Sequence, residues 1–139
     1  MKTRLLTSAL ITLGALVALR SVPASAHHSF AAEFDGSKPI TLKGVVMQID
    51  WTNPHVWFYV TVKDEEGKNV RWACEMGAPH QLQQRGWLRD TMKIGDVVTV
   101  VGSLARDGSK RANARTVTTA DGKTLGAASS GEPSTQQQQ

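Results

Sequence analysis

Four histidines are the residues of this chain best suited to bind a metal, and two of them lie next to each other near the N-terminus. His27 and His28 come directly after the small residues Ala24-Ser25-Ala26. If the chain is cleaved after Ala26, His27 becomes the first residue, and its free α-amine and imidazole Nδ1 can chelate one metal ion. A third nitrogen from another histidine would complete a T-shaped, all-nitrogen site, which favours Cu(II).

His55 is our candidate for the third nitrogen ligand. It begins a predicted strand directly after the turn residues Thr52-Asn53-Pro54, and a rigid strand holds an imidazole ring in place better than a loop does. Two alternatives stay open. His28 can form a rival chelate with the α-amine and the intervening amide nitrogen, and His55 can instead cap the turn or bond a backbone carbonyl. His80 lies in the first turn of a predicted short helix, where a surface histidine is ordinary.

The sulfur-containing side chains are interpreted mainly as core residues. Met47 and Met76 are possible soft ligands for Cu(I), but methionines at strand spacing are more typical of a core. Cys74 is the only cysteine, so the chain has no internal disulfide. It shares the apolar face of a predicted strand with Val70, Trp72 and Met76, which predicts a buried, unreactive thiol.

A second candidate site is an aromatic outer face. Along the strand that follows His55, Trp57 and Tyr59 point away from the side that carries Phe58. Arg71 and Glu75 fall on the outer face of the next strand, where they would bracket the two rings. Exposed rings of this kind form a stacking platform, so these four residues predict a site for a small ligand or a partner protein.

An alternative for the same face is that the N-terminal part of the mature chain covers it. In that case Phe30 and Phe34 would pack on Trp57. This packing would also bring His27 close to His55, so it is compatible with the metal hypothesis.

Residues 1–26 have the pattern of an export signal. Lys2 and Arg4 precede an apolar stretch, Leu5–Leu19, and Ala24-Ser25-Ala26 offers small residues to a signal peptidase. The apolar stretch would rise about 22 Å as a helix, which is short of the roughly 30 Å of a membrane core. We therefore predict a periplasmic or secreted protein. Cleavage after Ala24 is the main alternative.

Charge and motifs narrow the function classes. The formal net charge of +4 includes three basic residues of the signal. Without them, 13 basic residues face 12 acidic ones, which argues against binding to nucleic acid. The sequence has no nucleophile elbow, phosphate-binding glycine loop or Cys-x-x-Cys motif. We therefore predict a binding protein rather than an enzyme. Its partners would be copper, a small ligand or a periplasmic protein, and after signal cleavage it would not bind a membrane.

Five runs with a period of two predict strands, and one short segment between the third and fourth runs predicts a helix. The strands are 41–51, 55–63, 69–76, 97–104 and 114–119, and the helix is 79–86. This order is typical of an OB-fold, an all-β, five-stranded, partly open barrel. A β-sandwich of five strands would be underfilled. The chain thus divides into a signal peptide (1–26), an N-terminal arm (27–40), an OB-like barrel (41–125) and a disordered tail (126–139).

Several short motifs resemble those of a family of small exported bacterial proteins that is known only as a domain of unknown function. They are His27-His28-Ser29-Phe30, Trp51-Thr52-Asn53-Pro54-His55-Val56-Trp57, Trp72-Ala73-Cys74-Glu75-Met76, Arg85-Gly86-Trp87, Gly95-Asp96 and Arg111-Ala112-Asn113-Ala114-Arg115. The resemblance covers roughly residues 27–125. It implies an exported protein with a small barrel and carries no established activity.

Overall fold

The structure is a computed structural model that describes residues 30–129. These residues form two short helices and six strands: α1 (Phe30–Glu33), β1 (Phe34–Asp50), β2 (Trp57–Lys63), β3 (Asn69–Glu75), α2 (Pro79–Gln84), β4 (Val97–Ala105), β5 (Arg111–Thr118) and β6 (Thr124–Gly126). The predicted all-β class is confirmed. The signal peptide, His27, His28 and residues 130–139 lie outside the described residues.

Five of the six strands form a closed ring of hydrogen bonds. β1 pairs antiparallel with β2 and with β4, β2 pairs with β3, and β4 pairs with β5. The ring closes where Ala73–Glu75 of β3 runs parallel to Arg111–Asn113 of β5. β6 adds a sixth strand to the other edge of β5. The sequence did not indicate β6, because three residues are too few to show a period of two.

Both ends of the described chain are more ordered than the sequence predicted. Residues 34–40, expected in an arm, form the start of β1, where Phe34 pairs with Ala105 of β4. The sequence does not predict this part of the strand, because Gly36 and Pro39 interrupt the period of two. The β1–β4 pairing shifts register between Asp35 and Pro39. The predicted disordered tail began at residue 126. Ala127 and Ser129 are instead buried. The backbone of Ala127 is held in place by hydrogen bonds to the backbones of Arg115 and Gly77.

The inward faces of the strands build one core. Phe58, Trp72 and Cys74 belong to it, as the period of two predicted, and so do Val60 and Val98. Burial raises the pKa of the Cys74 thiol to about 12, so the thiol stays protonated and unreactive.

The two methionines that were weighed as copper ligands lie in different places. Met76 is fully buried in the core, whereas Met47 is about half exposed. Met47 is the extra residue of a β-bulge in β1, between Val46 and Gln48. Gly44 of the same strand is needed for close packing, because a Cβ atom there would lie 2.6 Å from the backbone oxygen of Thr61.

α2 lies between β3 and β4, as predicted. It buries Leu82 in the core and leaves His80 exposed on its first turn. Over residues 30–129, neither helix is long or apolar enough to cross a membrane.

Candidate functional site

The register of the sheet places a row of four residues side by side on neighbouring strands. Trp57 of β2 lies opposite Glu75 of β3, and Glu75 lies opposite Asn113 of β5. Asn113 in turn lies opposite Ser103 of β4. The parallel pairing that closes the ring therefore brings polar side chains that are far apart in sequence into one place.

His55 lies two residues before the start of β2, and its side chain reaches this row. Hydrogen bonds between Val56 and the 76–77 backbone extend the β2–β3 pairing and fix the chain at this point. The Nδ1–H of His55 donates to Oε1 of Glu75. The imidazole is 20% exposed and the Glu75 side chain 8% exposed. His55 therefore does not cap the turn or bond a carbonyl through Nδ1, and Nε2 is the ring nitrogen that Glu75 leaves uncommitted.

Asn113 extends the buried polar group. Its Nδ2 donates a hydrogen bond of 2.8 Å to Oγ of Ser129, and its side chain also bonds to Glu75. Its Oδ1 is buried and has no hydrogen-bond partner among residues 30–129. A cavity of about 10 Å³ is lined by these side chains and His55. That volume is about enough for a single water molecule.

The short helix α1 covers this cavity. Phe30 and Phe34 are buried with their ring centroids 5.9 Å apart, and Trp57 packs against them. Arg106 holds the helix down, because its Nε donates a hydrogen bond of 2.8 Å to the carbonyl of Ala31. At Trp57, the outer face of the sheet is therefore covered by the N-terminal part of the described chain, which is the alternative to an open platform.

Charges at the edge of the cavity are paired. Arg111 lies 3.3 Å from Oε2 of Glu33 and 3.0 Å from Oδ2 of Asp107. Burial raises the pKa of Glu75, and the nearby Glu33 carboxylate raises it further, while the contacts with His55 oppose the rise. Glu75 was expected to bracket an open platform. It lies on the expected face of β3, but α1 covers that face, so Glu75 is a buried partner of His55 instead.

The raised pKa of Glu75 predicts a specific pH dependence of stability. The folded chain holds this proton more tightly than the unfolded chain, whose Glu75 has the usual pKa of 4.5. The contribution of this proton to the free energy of unfolding is therefore complete below pH 4.5. It is lost as the pH rises through the pKa that Glu75 has in the folded chain. Glu75→Gln removes this titration and keeps an oxygen that accepts from His55. As the pH rises above 4.5, the wild type should lose unfolding free energy relative to Glu75→Gln, when both are measured as metal-free protein.

Chemical denaturation at several pH values measures this difference. If the curves for the wild type and Glu75→Gln stay parallel across the range, Glu75 does not retain its proton on folding, and the assignment of a raised pKa is wrong.

The outer face that remains open is smaller than the predicted platform. Tyr59 carries the guanidinium of Arg71 at 4.4 Å from its ring centroid. Arg71 also donates a hydrogen bond of 2.9 Å to Oε1 of Gln48. With Trp57 packed under α1 and Glu75 buried, Tyr59 and Arg71 are the two predicted platform residues that stay outside the covered end.

A metal site within the described part of the chain would be incomplete. No three histidine, cysteine, aspartate or glutamate side chains of residues 30–129 come together as a metal-binding group. His55 and Glu75 make a pair, and His80 lies on α2. Two of the three predicted ligands, His27 and His28, lie outside the described residues, so the complete predicted set is not visible here.

Sequence reasoning missed Asn113, Ser129 and Glu33 as members of this site. Asn113 stood in the Arg-Ala-Asn-Ala-Arg motif, which carried the family resemblance but no role. Glu33 and Ser129 lay in segments interpreted as an arm and a tail. Only the closure of the ring and the docking of both chain ends bring them to His55.

The comparisons with known proteins identify a family and a distant structural likeness. The family model described as "Family of unknown function (DUF6152)" matches residues 15–114. None of the curated proteins matches the chain. Among solved structures, the chain is similar to the "Crystal structure of the ZRD-deleted mutant of TiaS in complex with agmatine", with 21% identity and a TM-score of 0.40. The match covers 60% of this chain, which spans only 21% of that one.

Proposed function

We propose that this chain, which belongs to that family of unknown function, binds Cu(II) through the α-amine and imidazole of His27, with His55 as the third nitrogen ligand. One observation carries the proposal. Phe30 is buried in the wall of the same small cavity that His55 and Glu75 line. The chain is therefore anchored next to His55 only three residues after His27.

The length of the connecting chain supports the proposal. Three residues span at most about 11 Å when fully extended. His27 must therefore stay within that distance of Phe30, which itself lies against the His55 cavity. A histidine at this position needs no long excursion of the chain to meet the imidazole of His55.

The geometry of His55 fits a ligand role. Metal-binding histidines usually donate their other ring N–H to a carboxylate, which fixes the tautomer and directs the free nitrogen to the metal. Glu75 occupies that position on Nδ1 and leaves Nε2 available. An α-amine and imidazoles have reference pKa values near 8 and 6.5, so they release protons readily to a metal at neutral pH. A nitrogen-only set without thiolate favours copper over zinc.

The proposal includes export. Cleavage after Ala26 would place His27 at the mature N-terminus and the protein in the periplasm or outside the cell. Cleavage after Ala24 would place Ser25 first and would remove the α-amine from His27. The ring of five strands with α2 after the third supports an OB-like barrel as the scaffold.

Titration calorimetry with Cu(II) on the exported protein tests the proposal, after its intact mass has fixed the first residue. We expect one tight site. His55→Ala should weaken it by about tenfold or more, and so should one extra residue before His27. His80→Ala is the matched control, because His80 is exposed on α2, and it should leave the affinity unchanged.

Two outcomes would contradict this assignment. If His55→Ala changes neither the affinity nor the copper spectrum, while the extended chain binds weakly, the ligands are those of the His27-His28 terminus alone. If the extended chain binds as tightly as the wild type, copper does not use the α-amine at all.

A second candidate function is that of an interaction module for a small ligand or a periplasmic protein. It would use the open part of the outer face, where Arg71 lies over the ring of Tyr59. Such a module would tolerate residues added before His27 and would lose binding when Tyr59 or Arg71 is truncated. The extension experiment therefore also separates the two functions.

A further inference from the structure

A second cavity of about 230 Å³ shares no lining residue with the His55 site. Its walls come from three adjacent strands: Leu42 of β1, Val62 of β2, and Val70 and Trp72 of β3. Val62 and Val70 are direct partners in the β2–β3 register, so they form one continuous apolar wall. The cavity is thus an apolar space that opens to solvent rather than a polar channel.

Lys110 places a positive charge at this cavity. Its Nζ lies 5.1 Å from the centroid of the Trp72 ring, which is a cation–π contact. Its backbone carbonyl accepts a hydrogen bond of 3.0 Å from the N–H of Ala73, which holds the residue against β3. The ion pairs formed among residues 30–129 do not include Lys110. Its ammonium group is therefore held in position without a carboxylate partner in that part of the chain.

The other charged residues at the rim serve the β2–β3 hairpin or face solvent. The carboxylate of Asp64 accepts the backbone N–H groups of Glu66 and Lys68, at 3.0 and 2.8 Å. Lys63 donates to groups within the same hairpin. Glu65 is exposed. Lys110, by contrast, contacts Trp72 in a wall of the cavity. The cavity therefore combines apolar walls with one ammonium group at its opening.

We propose that this cavity binds a small monocarboxylate with a compact, preferably aromatic, apolar body. The carboxylate would pair with the Lys110 ammonium, and the body would lie between Trp72 and Leu42. The apolar walls favour the body over water, and the fixed cation selects an anion over a neutral or cationic compound of the same shape. The volume is below the usual range of drug-sized ligand pockets, so it fits a single ring rather than a larger cofactor.

A nitrogen-15 NMR titration of the exported protein, kept free of metal, tests this proposal. The probes are phenylacetate, neutral phenylacetamide and cationic phenethylamine, which share one ring and differ in charge. Phenylacetate should shift the indole N–H resonance of Trp72 and should bind more tightly than the other two. Lys110→Met should weaken phenylacetate binding by about fivefold to tenfold.

Lys43→Met is the matched control. It removes the same charge next to Leu42 but on the exposed face of β1, so phenylacetate affinity should not change. Val70→Trp should fill the cavity and abolish binding, with thermal unfolding to verify that this variant folds. The proposal is overturned if phenylacetamide binds as tightly as phenylacetate, if Lys43→Met and Lys110→Met have equal effects, or if the Trp72 resonance does not move.

Discussion

Replacing Gly102 with alanine is expected to destabilise the protein by about 3 kcal/mol or more. A Cβ atom at this position in β4 would lie 2.1 Å from the backbone oxygen of Asn113 and 2.9 Å from its carbonyl carbon. Both atoms belong to the backbone of β5, so no side chain can turn away to make room. Overpacking of a well-packed interior costs about 1–3 kcal/mol and occasionally more, and a clash with a paired strand belongs at the upper end.

Gly36→Ala is the matched control for this prediction. A Cβ atom at Gly36 would lie 3.7 Å from the nearest atom, a ring carbon of Phe30, which is an ordinary contact. Urea denaturation should therefore show a large loss of unfolding free energy for Gly102→Ala and little change for Gly36→Ala. Equal denaturation midpoints for the two variants would mean that β4 and β5 do not approach each other as closely as described.

The Gly102 substitution also tests how the site is built. The clash falls on the backbone of Asn113, whose side chain bonds to Ser129 and Glu75. Any shift of β5 that relieves the clash must move this side chain. We therefore expect the residual folded Gly102→Ala protein to bind Cu(II) less tightly than the Gly36→Ala protein.

Local sequence patterns predicted the elements but not their long-range partners. The period of two around Phe58 and Cys74 indicated the strands and their buried faces correctly, because alternation depends only on neighbouring residues. β6 and the start of β1 at Phe34 were missed. They are strands because of the β5 and β4 backbones that they pair with, and sequence alternation does not report such pairing.

The candidate site shows the same division between local and long-range information. The position of His55 after a turn was predicted from local sequence. The face of β3 on which Glu75 lies was also predicted correctly, since it shares the outer face with Arg71. Its burial was not predicted, because that depends on α1 folding over the face. Asn113 could be found only once β3 and β5 were known to run parallel.

The core and the site meet on the two faces of β2. Phe58 points into the core and is fully buried, whereas its neighbour Trp57 points outward and packs under α1. A substitution on one face should therefore affect stability with little direct effect on the other. This separation allows global stability and the proposed copper binding to be measured independently.

Phe58→Ala is expected to reduce the free energy of unfolding by about 3–5 kcal/mol. The ring is completely buried and belongs to the main core cluster with Val60 and Cys74. Its removal loses the transfer free energy of the ring and leaves a cavity that the rigid strands cannot close fully. A domain of this size has a total stability of only about 5–15 kcal/mol, so the variant should lie close to unfolding at room temperature.

Tyr59→Ala is the comparison for this last prediction, because it truncates an aromatic ring on the next residue but on the outer, half-buried face. Chemical denaturation should show a clearly smaller loss for Tyr59→Ala than for Phe58→Ala. Below its unfolding transition, Phe58→Ala should match the wild type in the proposed Cu(II) binding, since Phe58 does not line the His55 cavity. A small loss of stability for Phe58→Ala would mean that the two faces of β2 are assigned the wrong way round, and the outward placement of Trp57 and Tyr59 would fail with it.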